Sequence, residues 1–435
     1  MRIAMLAGGS RGDYQPVLAV ARELQARGHD VGVTASSDFA PTLRDAGLAV
    51  EEIRVDAMRI YREGTVAERM AGASIGRQVG ALRHQAEAMA PELARALVDL
   101  WPRYDAVVST ALTFPWAGQL SAHDPRPQVL MLFVPALPSV WGDASMFATR
   151  AGRSPRNLLD GLRALGPGMA MGSPVADALA DHGVPRGRGL RAARHTLTVP
   201  ALIAHSPQLV APRRVSGRRI VLTGYPFRDS PPGTTLDAGL ERFLAAGPPP
   251  VYAGFGSQSL RQTQEALRHT IEGALAAGHR VVALRGTGLE ERYDERVTFV
   301  DGAPHDLLFP RMSAIAHHGG AGTTAEATRC GVPQVVVPFA LDQPFFARRA
   351  HEIGVAAPPV PVGRTSVDTL RGAFRAVGDS GTRRQAALIG ARVRAERGPQ
   401  AAADRIEATL LRPRRAQRRA GPPSAAPAAR IGVLG

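Results

Sequence analysis

Residues 301–346 read DGAPHDLLFPRMSAIAHHGGAGTTAEATRCGVPQVVVPFALDQPFF. A short apolar run from Met312 to Ala316 empties into His317, His318, Gly319, Gly320, Ala321 and Gly322. Small residues there let the backbone come close to a ligand. Thr323 and Thr324 are of the type that caps a helix. The predicted helix runs to about Cys330, Gly331 takes the C-terminal position, and Pro333 prevents continuation. Gln334 to Val337 forms the next strand. Strand, glycine loop and helix N-terminus together offer free N–H groups and a partial positive charge to an anion, of which a phosphate or diphosphate is the simplest.

The composition narrows what surrounds this element. A chain of 435 residues exceeds what one core usually serves, so two domains are expected. The formal net charge of +15 raises the question of nucleic acid, yet the chain has no Lys and all 53 basic residues are Arg. That pattern fits an Arg-rich, Ala-rich background better than a built nucleic-acid surface. Part of the excess sits in RPRRAQRRAGPPSAAPAAR, Arg412 to Arg430, a basic Pro/Ala-rich stretch predicted to be disordered. Without Lys there is no Walker loop and no Schiff-base chemistry. The single Cys330 allows no intramolecular disulfide and no cysteine metal cluster. Ile3 to Ala7 is too short for a signal peptide, and Val129 to Val140 is broken by Pro135 and Pro138, so no membrane insertion and a cytoplasmic location are expected.

The chain opens with a strand, Arg2 to Ala7, a loop GGSRGD from Gly8 to Asp13, and a helix with Pro16 in its first turn and Val17, Val20, Ala21 and Leu24 inward. Gly28 ends the helix and Val31 to Ala35 is the next strand. The phrase returns later. Pro250 to Phe255 is a strand, Gly256 to Ser259 a loop, and the following helix turns Leu260, Leu267, Ile271 and Ala274 inward. AAGHRVVAL in the second half matches ARGHDVGVTA in the first. Two such βαβ openings predict an α/β chain of two Rossmann-like doubly wound domains. Further strands are expected at Ala106 to Ser109, Gln128 to Val134 and Ala201 to Ala204. The divisions are 1–224, a linker at 225–249, a second domain at 250–411 and the tail at 412–435.

HHGGAGTT followed by PFALDQPFFA, together with GSRGD at the N-terminus, resemble the nucleotide-sugar-dependent glycosyltransferases of the GT-B fold, in particular the bacterial natural-product and sterol branch. The likeness covers most of Arg2 to about Leu411. It implies a donor bound mainly by the C-terminal domain, an acceptor bound by the N-terminal one, and reaction in the cleft. By matching position, His318 would contact the diphosphate, and Gly320, Ala321, Gly322 and Thr323 would hold it through backbone and hydroxyl groups. Ser257 would touch a phosphate from its own loop, and Ser10 is counted with the donor-binding residues. Asp342 and Gln343 would hold sugar hydroxyls, while Arg285, Pro304 and His305 would lie near the nucleobase. The donor is expected to be a UDP- or dTDP-sugar, a co-substrate, with no further cofactor.

Each role has a plainer rival. Asp342 and Gln343 could simply form a polar turn before Pro344, and His317 is read as structural. His305, His317 and His318 lack an acidic partner that would complete a metal site. No Asp-x-Asp motif is present, so the leaving-group charge falls to the helix N-terminus, His318 and hydroxyls, and no metal is expected. Asp13 is the candidate general base of an inverting transfer. An unperturbed Asp titrates near ~3.9 and needs burial or late proton transfer to serve. Its rival role is to cap the helix predicted to begin near Pro16. The acceptor pocket is expected from Val55 to Met89 and Leu137 to Met171, with Met58, Met70, Met89, Met146, Met169, Met171, Phe114, Trp116, Phe133 and Trp141 as candidates. A hydrophobic or polycyclic acceptor follows, such as a polyketide, macrolide, peptide antibiotic or sterol. Outside this class stand an NAD-dependent oxidoreductase using GGSRGD with Asp30 on the ribose, and a catalytically silent helper of the same fold.

Overall fold

A computed structural model describes residues 1–9, 11–56, 75–171, 173–186, 198–211, 214–215, 218–256, 261–285 and 293–411. Continuous apolar runs make strands buried on both faces, and such strands suit parallel sheets covered by helices. The first sheet contains β1 (Arg2–Leu6), β2 (Asp30–Ser36), β3 (Ala49–Ile53), β4 (Ala106–Ser109), β5 (Gln128–Leu132), β6 (Ala201–Ile203) and β7 (Val221–Leu222). All its pairings are parallel, in the order β3-β2-β1-β4-β5-β6-β7. The second contains β8 (Val251–Gly254), β9 (Val281–Leu284), β10 (Val297–Val300), β11 (Ala314–His317) and β12 (Gln334–Val336). It is parallel throughout, in the order β10-β9-β8-β11-β12.

The strand order is therefore the same in both halves for five strands, as two doubly wound units require. The repeated phrase is repeated in geometry as well. Gly28 and Gly278 take φ of 84° and 88°. The N–H groups of His29 and His279 then reach back to Leu24 and Ala274 at 3.2 and 3.0 Å. In each half the winding reverses beside the first strand, and ligands of open parallel sheets bind at the carboxyl ends of strands at that point. Those ends carry Gly8 to Asp13 and Ser109 to Thr113 in one half, and Gly254 to Gly256 and His317 to Gly320 in the other.

The domain divisions shift at two places. The segment 225–249, predicted as a linker, contains the helix Ala238–Ala245 and buries Leu236, Leu240 and Leu244 against the second sheet. It is fastened there by Arg329, which stacks over Phe227 at 4.5 Å and pairs with Asp229 at 2.5 Å. Ser230 adds hydrogen bonds from its N–H and hydroxyl to Asp306 at 2.7 and 2.8 Å. The helix Gly398–Leu410, predicted in the second domain, crosses back instead. Its Ala402, Ala403, Ile406 and Leu410 lie in the core of the first sheet. Arg27 pairs with Asp404 and Glu407, and His29 with Glu407, along the same seam.

The chain thus passes between the halves twice, at Gly224–Pro226 and at Glu396–Gly398, and the two passages touch. A Cβ at Gly398 would overlap the carbonyl oxygen of Tyr225, and one at Gly224 would press on Glu396 and on the Gly398 Cα. Gly398→Ala is expected to lower stability by about 1–3 kcal/mol, because backbone must move to admit the methyl. Gly372→Ala, in helix Val367–Val377 where the Cβ position meets open space, should leave stability unchanged or raise it. Urea denaturation of both variants checks this; equal midpoints would mean that the crossing yields freely.

Candidate functional site

The second sheet delivers its glycine loop through a chain of hydrogen bonds. His317 is wholly buried, its Nδ1 accepts the N–H of Gly319 at 3.0 Å, and so its Nε2 carries the proton toward Gln334 Oε1 at 2.9 Å. Gln334 Nε2 donates to Thr328 Oγ1, Thr328 donates to the Thr324 carbonyl, and Thr324 Oγ1 donates to the Gly320 carbonyl, at 3.0, 2.7 and 2.9 Å. Burial pushes the His317 imidazole down to about 3, so it stays neutral. Gly319 sits at φ 90°, and a side chain there would meet Val336 and the backbone of Gln343.

The loop then enters a helix. The helix following it, Ala321–Cys330, starts from Gly320 with no side-chain cap and ends on Gly331 at φ 72°. Thr323 and Thr324 are therefore in its first turn, and the predicted capping role does not hold. The ring of His318 lies against Gly256 and Gly320. Its Nδ1 is buried without a hydrogen-bond partner among the described residues. Burial takes its pKa down to about 4, leaving a neutral ring at pH 7.

Asp342 begins the next helix, Gln343–Glu352, without capping it through its side chain. Leu341, just before it, has φ 55°, the one positive value among described non-glycine residues, and such strain persists only where the surroundings enforce it. Gln343 supplies the enforcement: its Oε1 accepts the N–H groups of Phe339 and Ala340 at 2.7 and 3.0 Å. That oxygen is committed to the loop backbone. Burial, and secondarily the charge of Asp13, push the Asp342 carboxyl up to about 7.

The opposing rim carries Asp13. Its helix, Arg11–Ala26, starts five residues before Pro16, which lies inside it. Asp13 is thus a first-turn residue and does not cap a helix starting at Pro16; a carboxylate there is still favoured by the helix dipole. It packs over Gly9, whose φ of 123° and missing side chain make the room. Tyr14 next to it is buried and shares hydrogen bonds with Ser36. Thr110 and Thr113 both donate to the Leu6 carbonyl and hold the neighbouring loop.

Known proteins give this arrangement its family. Residues 3–94 match the model "Glycosyltransferase family 28 N-terminal domain", and 283–409 match "Erythromycin biosynthesis protein CIII-like, C-terminal domain". The O-mycaminosyltylonolide 6-deoxyallosyltransferase of Streptomyces fradiae is 31% identical, over 94% of this chain and 97% of that one. The chain belongs to the GT-B glycosyltransferases. A sterol 3-beta-glucosyltransferase of Arabidopsis thaliana is 29% identical, covering 86% of this transferase and 62% of the plant protein. The crystal structure of glycosyltransferase VinC in complex with dTDP superposes with a TM-score of 0.68 at 23% identity, over 95% of this chain and 100% of that one.

In this transferase His318, Gly320, Ala321, Gly322, Thr323, Asp342 and Gln343 come together on one rim, with Asp13 facing them. Arg285 and His305 follow β9 and β10 on the same rim; Arg285 is paired with Asp301 at 2.7 Å and His305 is stacked on Phe309 at 4.2 Å. Ser10 and Ser257 lie outside the described residues, as do Met58, Met70 and the tail at 412–435. Phe114 and Phe133 are core residues, and Met146 packs beside Phe345 and Phe346. Among the described residues no three His, Cys, Asp or Glu side chains converge as a metal site, and no helix is long and apolar enough to cross a membrane.

Two residues at the junction carried no sequence motif. His205 is wholly buried, stacked on Phe346 at 4.8 Å and edge-on to Tyr225 at 5.4 Å. Tyr225 stands beside Gly322.

The raised Asp342 carboxyl has a consequence for the empty protein. The folded state keeps this proton longer than the unfolded chain, whose Asp titrates near ~3.9, so stability is lost as pH rises from about 4 toward 7. Asp342→Asn should raise the melting temperature of the ligand-free transferase at about pH 8 and leave it unchanged at about pH 4. Parallel pH profiles for the two proteins would show that Asp342 ionises freely.

Proposed function

We propose that this glycosyltransferase is an inverting, metal-independent enzyme that moves a sugar from a UDP- or dTDP-linked donor to a hydroxyl of a hydrophobic small molecule. The observation that carries the reading is the opposition of Asp13 on one rim to the uncapped start of helix Ala321–Cys330, with His318 and Asp342 beside it, on the other. Free N–H groups, the helix dipole and a neutral His318 able to give a proton to a phosphate oxygen suit a diphosphate. Asp342 lies next to that cradle, where a sugar following the diphosphate would extend.

The chemistry then divides between the halves. The acceptor oxygen attacks the anomeric carbon from the face opposite the diphosphate; its proton passes to the Asp13 carboxylate as the bond to the diphosphate oxygen breaks, and the configuration inverts. General-base assistance of this kind contributes about 10²–10⁴ in rate. The developing charge on the leaving group is met by fixed dipoles, which gain most in a closed, dry cleft. The relatives' acceptors, O-mycaminosyltylonolide and sterols by their names, support a hydrophobic acceptor, and dTDP in VinC is in keeping with a dTDP-linked donor. The sterol reading is the runner-up within the class. A cytoplasmic site of action is part of the same proposal.

A panel of sugar nucleotides against polyketide, macrolide, peptide-antibiotic and sterol acceptors, read by mass spectrometry, tests the reading. Product formation that survives EDTA is expected, whereas loss restored by Mg²⁺ or Mn²⁺ would overturn metal independence. With a working pair, Asp13→Asn should cut turnover about 10²–10⁴-fold while nucleotide affinity is kept. His318→Ala should weaken nucleoside diphosphate binding in calorimetry; an unchanged dissociation constant would remove His318 from the phosphate site.

A further inference from the structure

Tyr225 is the first residue after the left-handed Gly224, at the point where the two interdomain passages cross. It is 6% exposed. Its carbonyl oxygen abuts Gly398, and its ring is held edge-on by His205 at 5.4 Å and at a tilt by Phe227 at 5.0 Å. The backbone and the ring are thus both fixed. The hydroxyl reaches the glycine loop's helix: it lies 2.9 Å from where a Cβ would stand on Gly322, the second residue of helix Ala321–Cys330. Any side chain at Gly322 would collide with it.

The electrical setting decides what that hydroxyl can do. Burial, and secondarily the nearby acidic groups of Asp13, Glu326 and Asp342, hold the phenol in its protonated form throughout the working pH range. It can give a hydrogen bond and cannot become a phenolate base. No hydrogen bond of that hydroxyl is seen among the described residues, and His318 Nδ1 is buried without a described partner. A buried donor left unpaired is costly unless a ligand completes it. The Tyr225 hydroxyl and the His318 ring lie against the start of the same helix, at Gly322 and at Gly320.

We propose that Tyr225 is a donor-binding residue whose hydroxyl gives a hydrogen bond to the diphosphate seated at the start of helix Ala321–Cys330. This rests on the diphosphate reading of that helix given above. It adds to that reading a contact from the interdomain crossing, outside the three loops that the sequence marks. Because Tyr225 is rooted in the crossing, its hydroxyl reaches the phosphate only in the relative setting of the two halves seen here.

The test is Tyr225→Phe in the full chain, which keeps the ring packing and removes one oxygen. Calorimetric titration with UDP and with dTDP gives the dissociation constant for wild type and variant, and thermal melting confirms that the variant is folded. Loss of a hydrogen bond to a charged phosphate should weaken the bound nucleotide about tenfold or more. An affinity within about threefold of wild type, in a folded variant, would overturn the proposal and leave Tyr225 as a packing residue of the crossing. Failure of the wild-type protein to bind either nucleotide would instead overturn the diphosphate reading itself, so the two failures are distinct.

Discussion

The loop that faces the cleft is held from behind by a buried relay of neutral hydrogen bonds, running from the Gly319 N–H through His317, Gln334, Thr328 and Thr324 to the Gly320 carbonyl. Each member uses donors and acceptors that would be expensive to bury unpaired. The relay ties β11, β12 and the first turn of the following helix into one rigid unit. Because the Thr324 and Thr328 hydroxyls are spent on backbone carbonyls and no side chain caps the helix, its N-terminal N–H groups are left open. A side-chain cap at the same place would have stabilised the helix and used up the groups that an anion needs.

A second constraint acts on the other half of the rim. Asp342 leaves its own helix uncapped and follows a left-handed Leu341, with the side chain of Gln343 bracing the turn. The result is a carboxyl held close to Asp13 across the gap, with burial and like charge both opposing its ionisation. The cleft is therefore poised electrostatically: it offers N–H donors, a tyrosine hydroxyl and a neutral histidine, and it holds carboxyl groups that polar partners would relieve.

Much of this was legible from the sequence, for identifiable reasons. Strands such as Ile3 to Leu6 and Val281 to Leu284 are buried runs whose apolar content and flanking glycines announce them. The glycine loops read equally well, since positions like Gly319 and Gly331 need left-handed backbone or close approach. Edge strands escaped. Ala49–Ile53 carries Glu51 and Glu52, which are satisfied by Tyr104, Arg103 and Arg44 from outside the strand, so its pattern is not that of a core strand. The start of helix Arg11–Ala26 was displaced because Pro16 fits a first turn equally well by local rules. The Pro-rich segment from Gly224 to Pro250 looks like a linker, and only Arg329, Asp306 and the second core, all distant in sequence, fix it in place. His205 and Tyr225 belong to no local pattern; their roles arise where the two halves meet.

The return of helix Gly398–Leu410 to the first sheet has a consequence for how the protein is made. The N-terminal half emerges first during synthesis, yet part of its core consists of Ala402, Ala403, Ile406 and Leu410. Until those residues leave the ribosome, the groove beneath Arg27 and His29 is an uncovered apolar surface, and these two side chains lack their Asp404 and Glu407 partners. The second half has all of its sheet and the segment 225–249 available before then. The half translated last can therefore close its core first, and completion of the half translated first must wait for nearly the whole chain.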